Sequence, residues 1–386
     1  MMFMISPVLR SRLYSLLPLP MKRNSLAAPT LAPTDGISRS TGCASPVDAG
    51  NIAVDFSSLM QAKDGFSVGF VVLSGSPLIP AFQSACKRLG LQGEIFDPTC
   101  ISFLNDIRQA SCDCFLVRPE YKTALLRRVF EEKISALRDL ADVKIFPSEK
   151  ELRVYESKRE LAMFLEVHGI PHPETNVFFR EYEALDFVAD AVFPLVFKSN
   201  RGAASSGVEI LETKQQAERL IRQIFQRVYF GERVADLRDF DYGYALFQEF
   251  LPKVREFRII KIGRSWFGHE KVSGNGSLFM SGSGLNKWTP PTFEVLDFCS
   301  EIASKHKFNF MCFDVFQTTD GRLLINELQT WFGSFNDSQM YIDGVPGRYI
   351  KKEGEWIFQK GSFNVDNGFA LRLSELSLIV TEAHDD

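Results

Sequence analysis

From Phe66 onward the chain alternates short apolar runs with stretches whose apolar residues recur every three or four positions, the pattern of strands followed by helices. Residues 68–73 predict a buried strand, 75–77 a turn, and 81–89 a helix stopped by Gly90. Residues 94–96, 114–117 and 143–146 predict further strands, with helices over 103–110 and 121–140 between them. That order predicts a small βαβ domain with a parallel sheet.

Ser148 followed by Glu151 forms a capping box for the next helix, and Gly169-Ile170-Pro171 stops the helix over 156–168 and leads into extended chain. A strand over 195–198 runs into a loop of small residues, and Thr213 with Gln216 opens another helix. Strands over 245–251, 256–262 and 265–272 follow, then a Gly/Ser-rich loop to 284, a helix over 292–305 and a hairpin over 310–329. Residues 335–386 read as a short, turn-rich segment. Residues 1–50 break the pattern: they are rich in Pro, Ser, Ala and Thr, carry Arg10, Arg12, Lys22 and Arg23, and have no acid before Asp35. A disordered leader, a transit peptide, or a start at Met21 all fit them.

Composition narrows the class. With 386 residues, 45% hydrophobic and 24% charged, the chain is an ordinary globular sequence of two or three domains. Lys plus Arg number 44 against 48 Asp plus Glu, a net charge of -4 without the basic excess that phosphate-backbone binding requires, so nucleic acid is not expected as a partner. No apolar run approaches the roughly 18 to 20 residues of a membrane span. The 7 cysteines include no C-x-x-C pair and read as reduced thiols of a cytoplasmic protein. His168 and His172 straddle Gly169 and Pro171, which keeps them off a common helix face and argues against a zinc site. The 35 phenylalanines read as an aromatic-rich core.

Candidate chemistry concentrates in the middle of the chain. Lys198 ends an apolar strand and precedes Gly202, Ala203, Ala204, Ser205, Ser206 and Gly207, whose backbone amides can approach phosphate oxygens closely. A flexible hairpin loop is the plainer reading of that stretch. With Gly263-Arg264 as a two-residue turn, Glu256 lies opposite Lys271 and Arg258 opposite His269, all on one sheet face. A solvated edge with a cross-strand ion pair fits equally well. Asp320-Gly321 predicts a type I' turn that sets Asp314 opposite Glu327, with Gln329 two residues on. Two carboxylates facing each other in apolar strands repel and are poorly solvated, a cost that a hard cation such as Mg2+ removes.

In this order the landmarks resemble the ATP-grasp superfamily, especially glutathione synthetases, D-alanine:D-alanine ligases and ribosomal-protein glutamate ligases. They are Ser157-Lys158, the strand over 193–198, the loop over 202–207, Phe247-Gln248-Glu249-Phe250-Leu251, Glu256-Phe257-Arg258, Asp314 and Asn326-Glu327-Leu328-Gln329. The resemblance implies an α/β and α+β protein: a leader over 1–60, a parallel βαβ pre-ATP-grasp domain over 61–150, a two-subdomain ATP-grasp fold over 151–243 and 244–335, and a turn-rich extension over 336–386. It also implies that Lys158 and Lys198 contact nucleotide phosphates beneath the loop with Gly202, Ser205, Ser206 and Gly207. Gln248, Glu249, Phe250 and Leu251 would line the adenine pocket, and Glu256 would hold the ribose. Arg258 and Lys271 would sit at the transferred phosphate, with Asp314, Glu327 and Gln329 on Mg2+.

Gln329 stands where the family usually has Asn, and Thr330-Trp331-Phe332-Gly333 where many members have a Pro-Gly turn. The implied activity is ATP-dependent joining of a small-molecule or peptide carboxylate to an amine through an acyl phosphate, releasing ADP and phosphate. A kinase of the same fold and a non-catalytic nucleotide-binding module are the alternatives. A homo-oligomer is compatible with the sequence.

Overall fold

The computed structural model describes residues 65–140, 143–201, 207–226, 243–272, 286–332 and 338–382. The first layer is β1 (Ser67–Val71), α1 (Ile79–Leu89), β2 (Gln92–Phe96), α2 (Phe103–Gln109), β3 (Cys114–Val117), α3 (Ala124–Arg138) and β4 (Ile145–Phe146). Its strands pair in parallel in the order β2-β1-β3-β4. β1 and β3 are buried at every residue, as a parallel sheet covered on both faces requires, and so they read as unbroken apolar runs. Gly69 lets the neighbouring strand in: a Cβ there would stand 2.4 Å from the Phe115 ring.

The chain continues through α4 (Glu149–Val154) and α5 (Lys158–Val167) into a small antiparallel sheet. That sheet comprises β5 (Thr175–Phe178), α6 (Glu181–Asp190), β6 (Leu195–Lys198), β7 (Val208–Leu211), α7 (Lys214–Phe225) and β8 (Ala245–Glu249), with strand order β5-β8-β6-β7. α7 buries Ala217, Leu220, Ile221 and Ile224, one stripe at helical spacing, and starts at the expected Thr213/Gln216 capping box. Together with Phe197 and Phe247 these residues form a core separate from that of the rest of the molecule.

The large sheet follows: β9 (Arg255–Ile262), β10 (Ser265–Lys271), β11 (Asn286–Lys287), α8 (Phe293–His306), β12 (Phe310–Gln317), β13 (Leu323–Gln329), β14 (Tyr341–Ile342), β15 (Val345–Lys352) and β16 (Glu355–Lys360). The strand order is β13-β12-β9-β10-β15-β14, with β11 on β10 and β16 on β15. The chain closes with α9 (Phe369–Glu382).

The expected turn-rich extension is therefore a hairpin and a helix. α9 buries residues all round, from Phe369 to Val380, so it lacks the polar stripe by which a surface helix is recognised. It packs on the first layer, with Phe369 5.3 Å from Phe70 and 5.9 Å from Phe82 between ring centres.

Ser148 and Glu151 make the expected capping box, and Glu151 does more than cap. Fully buried, its Oε1 accepts from the amides of Asn309 (2.9 Å) and Phe310 (3.0 Å), which fixes the start of β12 to the entry of α4.

Candidate functional site

The turn at Gly263-Arg264 sets the β9/β10 register: Ile262 pairs with Ser265, Arg258 with His269 and Glu256 with Lys271, as the turn residues predict. β12 lies on the other side of β9, with Asp314 beside Arg258. Alternation then places Glu256, Arg258, His269, Lys271 and Asp314 on one face.

The β12/β13 hairpin reaches the expected pairing by another route. The Thr318 amide donates to the Arg322 carbonyl (3.0 Å), and of residues 319–321 Gly321 alone has a positive φ, +88°, so the two-residue type I' turn is replaced by a wider one. The ladder from Leu323 to Ile325 is consequently one residue out of the expected register. A bulge at Asn326 takes up the difference and restores Asp314 opposite Glu327.

Asp314 is buried, and both of its oxygens are held. Arg258 donates Nε to Oδ1 and Nη2 to Oδ2, each at 2.8 Å, and Lys271 Nζ lies 3.1 Å from Oδ2. Lys271 also reaches Glu256 Oε1 at 2.5 Å. Burial alone would raise the Asp314 carboxyl; the Arg258 guanidinium, with Lys271, outweighs it and holds the group well below the usual carboxylate range. Burial pushes Glu256 up against the pull of Lys271. His269, with Nδ1 3.3 Å from the Gln339 carbonyl, is lowered to about 4 by burial, with Arg258 adding to the effect, and is neutral at pH 7.

The expectation that Asp314 and Glu327 repel unless a metal separates them is thus modified, because protein cations already compensate Asp314. A metal is favoured instead by Gln329. Its Nε2 donates to Glu327 Oε1 (2.6 Å), and among the described residues its buried Oε1 has no partner. An orphaned amide oxygen beside a carboxylate is the donor chemistry that a hard cation takes, so Asp314, Glu327 and Gln329 fit Mg2+. Among the described residues no cluster of three or more His, Cys, Asp or Glu offers another metal site.

Lys198 ends β6 and crosses to the large sheet, where Nζ donates to Asn326 Oδ1 at 3.0 Å. Burial, with the charge of Lys158 adding to it, lowers the Lys198 ammonium to about 8. Lys158 opens α5, and its amide bonds the Asn200 carbonyl (3.1 Å) in the loop after Lys198. Val196 pairs with Gln248, so Lys198 and Gln248 share one face of the small sheet while Phe197 and Phe247 fill its core.

Gln248 Nε2 donates to Thr175 Oγ1 (3.0 Å), and Glu249 Oε1 accepts from the Glu174 amide (2.8 Å). Phe250 and Leu251 follow, half-buried. Gly207 closes the small-residue loop, its carbonyl accepting from the Ser199 amide at 2.7 Å. Its φ is +72° and a Cβ there would stand 1.9 Å from Ser199 Oγ, and both demand glycine. Gly202, Ser205 and Ser206 lie outside the described residues.

The structure therefore gathers Lys158, Lys198, Glu256, Arg258, Lys271, Asp314, Glu327 and Gln329 where two sheets meet. Sequence reading assigned no role to Asn326, whose position depends on the bulge. No short-range signal marks that bulge in a strand reading Leu323-Leu324-Ile325-Asn326-Glu327, beyond an amide where an apolar residue would continue the run.

No family model matches the chain. Over 87 residues it is 36% identical to the trifunctional purine biosynthetic protein adenosine-3 of Bos taurus, and over 86 residues 34% identical to that of Homo sapiens. Each match takes in 22% of this chain but only 9% and 8% of those relatives. Among solved structures, D-cycloserine synthetase DcsG aligns with 81% of this chain and 99% of its own, at 16% identity and a TM-score of 0.54. A RimK domain ATP-grasp protein from Sphaerobacter thermophilus aligns with 68% of this chain and 90% of its own, at 17% identity and a TM-score of 0.47.

Proposed function

From the ATP-grasp fold that this chain has, we propose that it is an ATP-dependent ligase joining a carboxylate to an amine through an acyl phosphate, with release of ADP and phosphate. The observation that carries the proposal is the meeting of Lys198 with the Arg258–Asp314–Lys271 group through Asn326, a cation-rich seam between two sheets.

Lys158 and Lys198 neutralise the nucleotide phosphates from the small sheet. Gln248 to Leu251 form the edge on which adenine rests, and Glu256 anchors the ribose. Arg258 and Lys271, locked in place by Asp314, present fixed positive charge where the γ-phosphate leaves ADP and bonds to the acceptor carboxylate. Asp314, Glu327 and Gln329 would hold Mg2+, which when bound neutralises phosphate oxygens. The chain thus acts by positioning and charge compensation, and the amine displaces phosphate from the activated carboxyl.

Trapping tests this. With a library of small-molecule and peptide carboxylates and hydroxylamine in place of the amine, ADP and phosphate should form in equal amounts together with a hydroxamate. AMP with pyrophosphate would overturn the mechanism, and a phosphorylated product inert to hydroxylamine would make the protein a kinase.

A further inference from the structure

β1 lies between β2 and β3, so the chain leaves β1 toward one side of the sheet and returns on the other. In an open parallel sheet, ligands bind in the crevice outside the carboxyl ends of strands at such a switch. Arg118 stands there, one residue past β3, its amide bonded to the Val71 carbonyl at the end of β1 (2.9 Å). Its Nη1 donates to the Pro119 carbonyl and, at 3.1 Å, to the Tyr155 hydroxyl. Among the described residues, Nε and Nη2 take no bond and the half-buried guanidinium has no carboxylate partner.

The strand that carries the metal candidates leads to the same place. Beyond Gln329, the Trp331 Nε1 donates to the Val117 carbonyl at 2.8 Å, which pins the end of β13 to the end of β3. The Arg118 guanidinium lies 5.3 Å from the Trp331 ring, and that of Arg372 lies 4.4 Å from it. Arg372 is buried and donates to the Thr330 carbonyl (3.3 Å); among the described residues its Nη1 has no partner, and Thr330 Oγ1 is a second buried orphan. Two guanidiniums around one indole, with unmet buried polar atoms between α9 and the segment after β13, form a pocket of donors suited to an anion. Trp331 lies two residues past the end of β13, so chain length keeps it within about 7 Å of Gln329 between Cα atoms.

We propose that Arg118 anchors the acceptor: it takes, through its free Nε and Nη2, an oxyanion group of the acceptor distinct from the carboxyl that reacts, with Trp331 as the flanking surface. The acceptor is then a compound carrying a second carboxylate or a phosphate. This rests on the reading of the neighbouring seam as the nucleotide and metal site.

The test titrates succinate, inorganic phosphate and uncharged dimethyl succinate into the full chain, alone and saturated with Mg2+ and a non-hydrolysable ATP analogue, reading tryptophan fluorescence. Wild type should bind succinate or phosphate but not the diester; which of the two binds identifies the group. Arg118→Gln should weaken that binding at least tenfold and change the affinity for the analogue less than twofold. Arg118→Lys, which keeps the charge and loses the fork, should fall between them, and it decides the matter if the Gln variant does not fold. Equal anion binding by wild type and both variants, or none by wild type, overturns the proposal. Loss of analogue binding by wild type overturns the ligase reading instead, and the anion arm without nucleotide still decides the role of Arg118.

Discussion

The two sides of the site handle charge in opposite ways. On the large sheet, Asp314 accepts from Arg258 and Lys271, and Lys271 also donates to Glu256, so these four charges are met by one another. On the small sheet, the Lys198 ammonium donates to the neutral amide of Asn326, and its burial and the repelling charge of Lys158 outweigh the pull of Glu327 and Glu256. The first arrangement holds its cations in place by internal pairing and serves as a platform. The second sets two ammonium groups close enough to oppose each other, a repulsion that an anion relieves. Preorganisation and affinity are thus divided between two sheets with separate cores.

The largest expected effect tests the platform. Lys271→Met leaves Glu256 buried and unpaired, and should cost about 3 kcal/mol of stability, read as a lower urea midpoint. A change below about 1 kcal/mol would show that the large sheet does not depend on its internal pairing. The matching change on the other side should act on binding. Lys198→Met should weaken nucleotide affinity by about 2 kcal/mol, roughly thirtyfold, while folding is retained.

The fold of the Lys198 variant should even gain. A folded value of about 8 lies below the usual lysine value of 10.5, so the charged form opposes folding at neutral pH. The gain, about 1 kcal/mol after allowance for solvent reaching the half-buried side chain, should be present at pH 7 and fade as pH rises from 8 toward 10. The same titration predicts that wild-type nucleotide affinity falls above pH 8, by up to about tenfold per pH unit, as the ammonium proposed to contact phosphate is lost. A flat profile in wild type would remove Lys198 from the phosphates. The smallest effect is that of Gln329→Leu. The substitution removes the buried orphan but also the bond to Glu327, so metal-free stability should change by less than about 1 kcal/mol, while Mg2+ affinity measured calorimetrically falls.

What the sequence makes legible depends on how locally each feature is specified. The β9/β10 register follows from Gly263-Arg264 alone, and the capping boxes at Ser148 and Thr213 are set by residues three apart. Asp-Gly is a weaker guide. At Asp343-Gly344 both residues have positive φ (51° and 77°) and Ile342 pairs with Val345, a type I' hairpin; at Asp320-Gly321 the same dipeptide sits in a wider turn. The Asp314–Glu327 pairing agrees with the sequence reading because two deviations cancel, the wider turn and the bulge. α9 escapes that reading for the opposite reason, since a helix buried on every side has no periodic contrast to detect. The ion pairs of Asp314 join strands 56 and 43 residues apart in sequence, and the bond from Trp331 to Val117 spans 214, separations over which no local pattern speaks.

The bulge at Asn326 carries a consequence for how such a site changes over generations. An added residue in an antiparallel strand shifts everything past it unless something else absorbs the shift; here the turn absorbs it, and Glu327 faces Asp314 as it would in a plain hairpin. Losing one codon at this position would leave Asp314 facing Glu327 and remove the amide to which Lys198 donates. The cross-sheet contact is therefore a detachable part, open to gain or loss in a single genetic step while the platform beneath it is inherited unchanged.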